Sequence, residues 1–427
     1  MAHRNTQPNS GNIHRAVLAL LASLLVLSIT SPSAQGQSFQ VLHTFSGGGD
    51  GGYPDGGLTL HGSGNFYGSS YGGPPTHSQY GNLFELRQQG SGWLFTTIYS
   101  FQGNSDGEYP RSPLVFGPDG ALYGATTQGG GDGCGGQGIG CGTVFRATPP
   151  PTPCKSSACP WIERPIHGFG NGNDGASPLY VVPAFDSQGN LYGTASYGGS
   201  AGGYGVVYKL TPGQGSWTYD VLYSFAGGTD GEAPQSGVIL DAAGNLYGAV
   251  SNIYFGEVYE LTSSGSGWVK DTLYNFHGGD DGSTPAGGLI FDSQGNLYGS
   301  TTLQGSGAGT VFQLTPQLNG SWTETFLQDL PGTGSGPYSS LTMDAAQNLY
   351  GTTYSGGAYG HGSVFKLTYT DGSWTYATLH DFTGESDGGN PSGGVTLDAS
   401  GNLYGTTSYG GARSGMNGYG VIWEITP

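Results

Sequence analysis

The stretch Ser236–Ser251, SGVILDAAGNLYGAVS, decides the fold. It contains two short apolar runs, Gly237–Leu240 and Leu246–Val250, which are separated by an Asp-x-x-Gly-Asn turn. Gly and Asn tolerate the left-handed backbone conformation that tight hairpins require. The stretch therefore predicts a hairpin of two short strands.

Two further strands follow this hairpin. The segment GEVYELT alternates apolar Val258 with polar Glu257 and Glu260, as a half-buried strand does. The segment GWVKDTLYNF, which ends at Phe276, supplies a fourth strand. Four short strands within about 50 residues, with Gly and aromatic residues at fixed places, are typical of one β-propeller blade.

The string GNLYG, or a close variant, recurs along the chain. Its tyrosines are Tyr67, Tyr123, Tyr192, Tyr247, Tyr298, Tyr350 and Tyr404. Successive copies are 51 to 56 residues apart, except for one interval of 69 residues that contains an insert rich in Cys and Pro. The seven copies predict an all-β, seven-bladed β-propeller domain over residues 37–427.

The two ends of the chain suggest how the ring closes. Six fourth strands follow their copies, at Trp93–Phe101, Trp161–Phe169, Trp217–Phe225, Trp268–Phe276, Trp322–Leu330 and Trp374–Phe382. The last copy ends with VIWEITP at Val421–Pro427, but Ser38–Phe45, SFQVLHTF, has the same closing Phe. A solenoid, the alternative, would leave two ends that need caps. A strand from the N-terminus that completes the last blade leaves no open edge, so we expect closure by Ser38–Phe45.

The composition argues against a helical enzyme. Of 427 residues, 85 are Gly and only 9% are charged, and each Gly inside a helix costs about 1 kcal/mol relative to Ala. The formal net charge is −18. A surface of that sign repels phosphate backbones and anionic lipid. We expect extracellular carbohydrate or protein as partners, and neither nucleic acid nor membrane insertion.

Residues 1–36 have the pattern of a secretory signal peptide. Two arginines precede an apolar run that begins at Ala16, and Ala34 and Gly36 form an A-x-G cleavage site. The run is shorter than the roughly 20 residues that a spanning helix needs. We expect a secreted or periplasmic protein whose mature form is a soluble monomer.

The four cysteines all lie in the insert, at Cys134, Cys141, Cys154 and Cys159. An even, local set in an oxidising compartment predicts two disulfides, which we expect to be Cys134–Cys141 and Cys154–Cys159. Zinc is the alternative, although the C-x6-C and C-x4-C spacings, with no paired His nearby, differ from the usual ligand patterns.

The repeated unit DG-x-x-P-x-GGL-x-x-D-x-x-GNLYGTT-x-x-GG…G-x-VF-x-LTP resembles the GloVer (Gloeo/Verruco) tandem repeat of exported bacterial proteins. The resemblance covers nearly all of the chain after residue 36. Members of that family often carry C-terminal surface anchors, and this chain has no hydrophobic tail at that end. The resemblance implies export but no established activity.

The motif D-G-x-x-P lies between each fourth strand and the next first strand. Its aspartates are Asp50, Asp106, Asp174, Asp230, Asp281 and Asp387, and the copy GTGSGP keeps Pro337 but has lost the Asp. The residues suit a turn, because Asp bonds its own backbone, Gly takes positive φ and Pro fixes the exit. The alternative is a ring of six carboxylates on one face that attracts cations. We expect no cofactor unless calcium binds there.

The loops between second and third strands lie on the same face of a propeller and contain SYGG or YSGG. Their tyrosines, Tyr71, Tyr197, Tyr354 and Tyr409, are candidate platforms for a sugar ring, because a phenol combines an apolar ring with a polar hydroxyl. The alternative is that they pack between blades or cover Gly-rich turns.

Signals for catalysis are weak. GGSAG at Gly198–Gly202 matches G-x-S-x-G, but that motif needs a strand-to-helix elbow and both neighbours here are strands. An acidic or His residue present in only one or two blades would indicate an enzyme. Glu108 and Glu232 share one place after DG and look like repetition. His43 and His380 occupy the fourth-strand position of Tyr in other copies, so no catalytic or metal-binding residue is assigned.

Three functions remain open from the sequence. The first is a non-enzymatic binding or scaffold protein that recognises carbohydrate or protein through the acidic, Tyr-rich face. The second is a secreted hydrolase or lyase that acts on polysaccharide, which for glycoside hydrolysis requires two carboxyls about 5 to 9.5 Å apart. The third is a structural component of the cell surface.

Overall fold

The computed structural model describes Met1 and residues 37–72, 80–131, 140–150, 161–170, 172–265, 267–303, 309–331, 336–413 and 417–427. The predicted signal peptide lies outside these residues apart from Met1, and so do Cys134, Cys154 and Cys159. Both the signal peptide and the disulfides therefore stay predictions. Among the described residues, no helix is long and apolar enough to cross a membrane.

The described chain forms seven antiparallel sheets arranged as the blades of a β-propeller. The first strand of the chain, β1 (Ser38–Thr44), belongs to blade 7. Blades 1 to 3 contain β2 Leu58–Leu60, β3 Phe66–Ser70, β4 Asn82–Gln89 and β5 Gly92–Ser100; β6 Glu108–Pro110, β7 Val115–Phe116, β8 Leu122–Gln128, β9 Thr143–Thr148 and β10 Ile162–Gly168; and β11 Ala184–Phe185, β12 Leu191–Ala195, β13 Val206–Pro212 and β14 Trp217–Ser224.

Blades 4 to 7 repeat this pattern. They contain β15 Ile239–Leu240, β16 Leu246–Val250, β17 Glu257–Ser264 and β18 Gly267–Asn275; β19 Ile290–Phe291, β20 Leu297–Ser300, β21 Thr310–Pro316 and β22 Trp322–Asp329; β23 Thr342–Met343, β24 Leu349–Thr353, β25 Ser363–Thr370 and β26 Ser373–Asp381; and β27 Thr396–Leu397, β28 Leu403–Thr407 and β29 Val421–Thr426. The predicted fold class is confirmed.

Blade 7 is completed by the N-terminal strand, as predicted. Its strand order is β1-β29-β28-β27, so β1 forms the outer edge. The backbone N–H of Phe45 donates to the carbonyl of Gly420 (3.0 Å) at the end of this pairing. Side chains join blade 7 to blade 1 on the inner side, where the hydroxyl of Thr396 donates to the carbonyl of Leu58 (2.6 Å).

The glycine of GNLYG is required by the strand that pairs with it. In blade 4, Gly248 lies directly opposite Tyr259 of the third strand. A Cβ atom on Gly248 would approach the Tyr259 hydroxyl oxygen to 2.4 Å. In blade 7 the same position is Gly405, opposite the fully buried Trp423. A side chain at this glycine would displace the large aromatic residue of the third strand.

The core lies between the blades. Seven clusters of buried residues are found in the described chain, one at each junction of adjacent blades. The closing residue of each fourth strand contributes to them, at Phe45, Phe101, Phe169, Phe225, Phe276, Leu330 and Phe382, all at most 3% exposed. Each blade therefore buries its apolar face only against its neighbours, which makes ring closure part of the core.

Candidate functional site

The aspartates of the D-G-x-x-P motif are held inside their own loops. Asp230 accepts hydrogen bonds from the backbone N–H of Ala226 (2.7 Å) and the hydroxyl of Tyr223 (2.6 Å). Donors four and seven residues earlier also serve Asp106 and Asp281. In three loops a His replaces the Tyr, in the pairs His43–Asp50, His167–Asp174 and His380–Asp387. These contacts support the turn interpretation.

Hydrogen bonding also decides the charge of Asp50. Burial alone would raise the pKa of its carboxyl, but hydrogen bonds from His43 and Ser46 outweigh burial and lower the pKa to about 2. The carboxylate is thus ionised and engaged by its own loop. Among the described residues, no group of three or more His, Cys, Asp or Glu side chains is arranged as a metal site. Calcium binding at this face stays an untested alternative.

A channel runs along the axis of the ring. Segments at or next to the first strand of all seven blades line it, including Asp55–Leu58 of blade 1, Tyr180 of blade 3 and Tyr338 of blade 6. The first strands are therefore the innermost ones. The cavity has a volume of about 180 Å³. On the side of the D-G-x-x-P loops, the lining includes four residues that directly follow motif prolines, namely Asp55, Ala286, Tyr338 and Ser392.

Three of the four predicted platform tyrosines converge at this end of the channel. Tyr71 and Tyr409 flank Tyr53, with ring centroids 6.5 and 5.5 Å from that ring. Tyr354 packs edge-on against Tyr338, with centroids 5.4 Å apart.

Tyr197 differs from those three tyrosines. It is 58% exposed, and its backbone pairs with that of Ala176. Within the described residues, it is not part of the group around the channel. The four SYGG and YSGG copies are therefore not equivalent.

Asp55 and Arg111 form the charged centre of this group, and neither was predicted as part of one. Asp55 and Arg111 directly follow the motif prolines of blades 1 and 2, and Arg111 Nε lies 3.5 Å from Asp55 Oδ2. The side chain of Asp55 is only 9% exposed, and its Oδ1 accepts a hydrogen bond from the Ser408 hydroxyl (2.7 Å). The Arg111 guanidinium lies 4.1 Å from the centre of the Tyr71 ring, within range of a cation–π contact.

The environment shifts the protonation of these groups. Burial raises the pKa of Asp55, and Arg111 and the neighbouring Ser hydroxyls only partly oppose it. Burial and the nearby Asp55 carboxyl raise the pKa of Tyr180 to about 12. Tyr180 thus keeps its phenolic proton at neutral pH. The site offers hydrogen-bond donors from Arg111 and Tyr180 and, at Asp55, an acceptor whose ionisation is disfavoured by burial.

A sequence signal for the pair did exist. The residue after the motif Pro differs in every copy: Asp55, Arg111, Leu179, Gln235, Ala286, Tyr338 and Ser392. Opposite charges occur there only in two consecutive copies, which become neighbouring blades. The place after DG, where Glu108 and Glu232 occur, shows no such contrast between neighbouring blades.

The fold and this site define a class: repeat proteins built as a seven-bladed propeller, with a polar and aromatic centre at one end of the channel. The chain belongs to the Gloeobacter/Verrucomicrobia repeat family, whose model matches residues 26–252, 136–328, 185–376 and 251–427. The predicted family resemblance is confirmed. A search of the curated proteins finds no match.

Three bacterial proteins are among the solved structures that are similar to this one. A candidate glucose dehydrogenase of Thermus thermophilus is 14% identical, with a TM-score of 0.41 over 92% of this chain and 100% of that one. A protein of unknown function from Dyadobacter fermentans is 13% identical, at 0.45 over 81% and 98%. A mutant of the NanB sialidase from Streptococcus pneumoniae is 14% identical, at 0.42 over 91% and 70%. Similarity at this level transfers no activity to this chain.

Proposed function

We propose that this protein is an exported binding protein that takes a carbohydrate at the channel end formed by Asp55, Arg111 and the surrounding tyrosines. The observation that carries the proposal is the break in the repeat. Two adjacent blades place an oppositely charged pair, the buried Asp55 and the partly exposed Arg111, where the other blades have uncharged residues. Groups that are costly to bury and unnecessary for the turn are typical of a functional site.

The chemistry of the site suits a sugar better than a polypeptide. Tyr354 and Tyr409 present partly exposed rings next to hydroxyls, and Arg111, which packs on the Tyr71 ring, presents planar donors beside the Asp55 carboxyl. The channel volume of about 180 Å³ is close to the ~150 Å³ of a cavity that holds one benzene-sized ring. One sugar ring at the end of a chain fits this space, whereas a folded protein segment does not.

A glycan array followed by calorimetric titration of the best ligand tests the proposal. We expect Asp55→Asn to weaken binding at least tenfold. The variant removes the ligand's hydrogen bond to a carboxylate paired with Arg111, and a hydrogen bond to a charged group contributes about 1.5 to 3 kcal/mol. Tyr409→Ala should also weaken binding. Tyr197→Ala is the matched control, since it removes the same motif residue outside the group, and it should leave the affinity unchanged.

Two results would overturn the proposal. One is an array without any bound glycan. The other is an Asp55→Asn variant that binds as the wild type does while its melting temperature is unchanged. If the wild type releases reducing ends from a bound polysaccharide and Asp55→Asn does not, the function is hydrolysis and not binding alone.

A further inference from the structure

We propose that the opposite face of the ring carries a second, repeated saccharide-binding surface, made of grooves between adjacent blades. This inference does not depend on the channel site. Three such grooves lie between blades 2 and 3, blades 7 and 1, and blades 5 and 6, with volumes of about 640, 700 and 450 Å³. Their walls include the turns that join first to second and third to fourth strands. These turns lie on the other side of an antiparallel blade from the channel site.

The three grooves share one set of side chains. Each has the Tyr of GNLYG from one blade and the Trp that starts the fourth strand of the next blade, in the pairs Tyr123–Trp217, Tyr404–Trp93 and Tyr298–Trp374. Their ring centroids are 5.9, 6.0 and 6.3 Å apart. Each Trp is only partly buried, so one part of the indole packs on the core and another faces the groove.

Planar polar groups stand beside these rings. Between blades 2 and 3, the Arg146 guanidinium donates to Asp119 Oδ2 (2.8 Å) and to the Tyr123 hydroxyl (3.1 Å). Both Arg146 and Asp119 remain more than 30% exposed. A ligand in the groove can therefore reach the guanidinium edge and the carboxylate without first breaking a buried contact.

The other two grooves have a different polar side chain at the position of Arg146. Between blades 5 and 6, Gln313 Nε2 donates to the Tyr298 hydroxyl (2.9 Å) at the position of Arg146. Between blades 7 and 1, the Tyr404 hydroxyl donates to Glu424 Oε1 (2.9 Å) at that same position. The three grooves thus combine one aromatic frame with a guanidinium, an amide or a carboxylate.

These features select a neutral polysaccharide. Partly exposed aromatic rings pack against the C–H face of a sugar, and planar amide, guanidinium and carboxylate groups bond its hydroxyls. An anionic polymer is disfavoured because two of the grooves, between blades 7 and 1 and between blades 5 and 6, are lined by carboxylates without any Lys or Arg, and because the whole chain is strongly acidic. Repetition around the ring lets one long chain engage several weak grooves at once, which raises the overall affinity.

The grooves can be filled without changing the core. An exposed Ser lies beside each Trp, at Ser91, Ser216 and Ser373. Replacing Ser with Arg at these positions blocks the space next to the indole. Ser105→Arg, at an exposed serine in a D-G-x-x-P loop on the other face, is the control for the added charge.

Co-sedimentation with insoluble neutral polysaccharides, namely cellulose, starch granules and a β-1,3-glucan, tests the proposal. We expect Ser91→Arg, Ser216→Arg and Ser373→Arg each to lower the apparent affinity a few-fold, and the triple variant to lower it at least a hundredfold. Indole fluorescence of the wild type should change on titration with soluble oligosaccharide of the bound polymer. Ser105→Arg should sediment as the wild type does.

The two proposals fail separately. A triple variant that still binds polysaccharide as the wild type does would overturn the groove proposal, and so would a wild type that sediments with none of the three polymers. Loss of sedimentation in Asp55→Asn together with an unaffected triple variant would leave the channel as the binding site and remove the grooves.

Discussion

The junction between blades 2 and 3 and the junction between blades 1 and 2 have different contacts at equivalent positions. At junction 2/3, the His167 ring stacks on Tyr219 of the next blade, with centroids 3.8 Å apart and planes within 7°. At junction 1/2, Tyr99 takes the place of His167 and Glu163 takes the place of Tyr219. There the Tyr99 hydroxyl donates to Asp106 (2.8 Å), and the Glu163 carboxyl lies close to both groups.

The same matching holds at six of the seven junctions, the exception being that between blades 5 and 6, where the fourth strand carries Gln328 at this position. Where the fourth strand carries His, the next blade supplies an aromatic ring, in the stacked pairs His167–Tyr219, His380–Phe39 and His43–Phe95. Where it carries Tyr, the next blade supplies a charge, in the pairs Tyr99–Glu163, Tyr223–Lys270 and Tyr274–Glu324. The choice of His or Tyr in one fourth strand therefore goes with the type of residue that the next blade places against it.

Two of the charged junctions also differ from each other. At junction 3/4, Lys270 Nζ lies 2.6 Å from Glu257 Oε1 and 3.3 Å from Asp230 Oδ1, so the ammonium is paired with both carboxylates. At junction 1/2 the residue in the place of Lys270 is Glu163, and the nearby Asp106 adds to burial in raising the pKa of that carboxyl to about 8. The difference predicts distinct responses to substitution and to pH.

Removing the N-terminal strand should have the largest effect. Deletion of Ser38–Phe45 removes two stacked junctions at once, because Phe39 and His43 belong to them, and it removes the buried Phe45. Losing one buried Phe side chain costs about 3 to 5 kcal/mol. We expect loss of cooperative thermal unfolding and self-association in sedimentation velocity. A synthetic peptide of residues 38–45 should restore the monomer, and a stable monomeric deletion variant would contradict the circular closure.

Breaking the charged junction at Lys270 should come next. Lys270→Met leaves Glu257, whose side chain is 1% exposed, without its cation. Breaking a buried ion pair on one side costs about 3 to 5 kcal/mol, measured as the free energy of unfolding in urea. Adding Glu257→Gln should recover most of the loss. Lys209→Met, which removes only a cation–π contact with Tyr192 at 5.7 Å, should cost less than about 1 kcal/mol.

Glu163→Gln sharpens the contrast through pH. The carboxyl ionises near pH 4.5 when unfolded and near pH 8 when folded, because burial and Asp106 disfavour its charge. Between these values the folded protein binds the extra proton, so wild-type stability falls as the pH rises. We expect Glu163→Gln to be more stable than the wild type by about 1 to 2 kcal/mol at pH 8 and similar at pH 4.5. Exposed Glu385→Gln should not change this slope, and equal slopes for Glu163→Gln and wild type would refute the assignment.

His167→Phe should give the smallest effect. Its gain in stability should appear at low pH, whereas that of Glu163→Gln appears at high pH. Burial lowers the pKa of His167 despite the attraction of Asp174, so the folded state favours the neutral ring. The stability from this group is present above pH 6.5 and is lost as the pH falls below it. Phe keeps the stacked ring without titrating, so the variant should gain up to about 1 kcal/mol relative to wild type at pH 5. His277→Phe, at a side chain that is 75% exposed, is the control.

Much of the architecture could be derived from the sequence because it depends on local or periodic features. The turn Asp241–Asn245 forms through hydrogen bonds within five residues, since Asp241 Oδ1 accepts from the N–H groups of Ala243 and Asn245, both at 2.9 Å. The predicted second strand Leu246–Val250 is β16, and the predicted fourth strands agree with the observed ones to within one residue at each end. The strand positions of His43 and His380 are confirmed in the same way.

The sequence by itself determined the number of blades, the strands of each blade and the strand that closes the ring. The first two follow from the repeated unit, and the third follows from the segments at the two ends of the chain. Only the tertiary structure decided which copies of a motif meet. It brought Tyr71, Tyr354 and Tyr409 around the channel but left Tyr197 exposed, and it placed Asp55 beside Arg111. A period identifies equivalent positions, whereas contacts across a junction join different positions of different repeats, and those depend on how the closed ring packs.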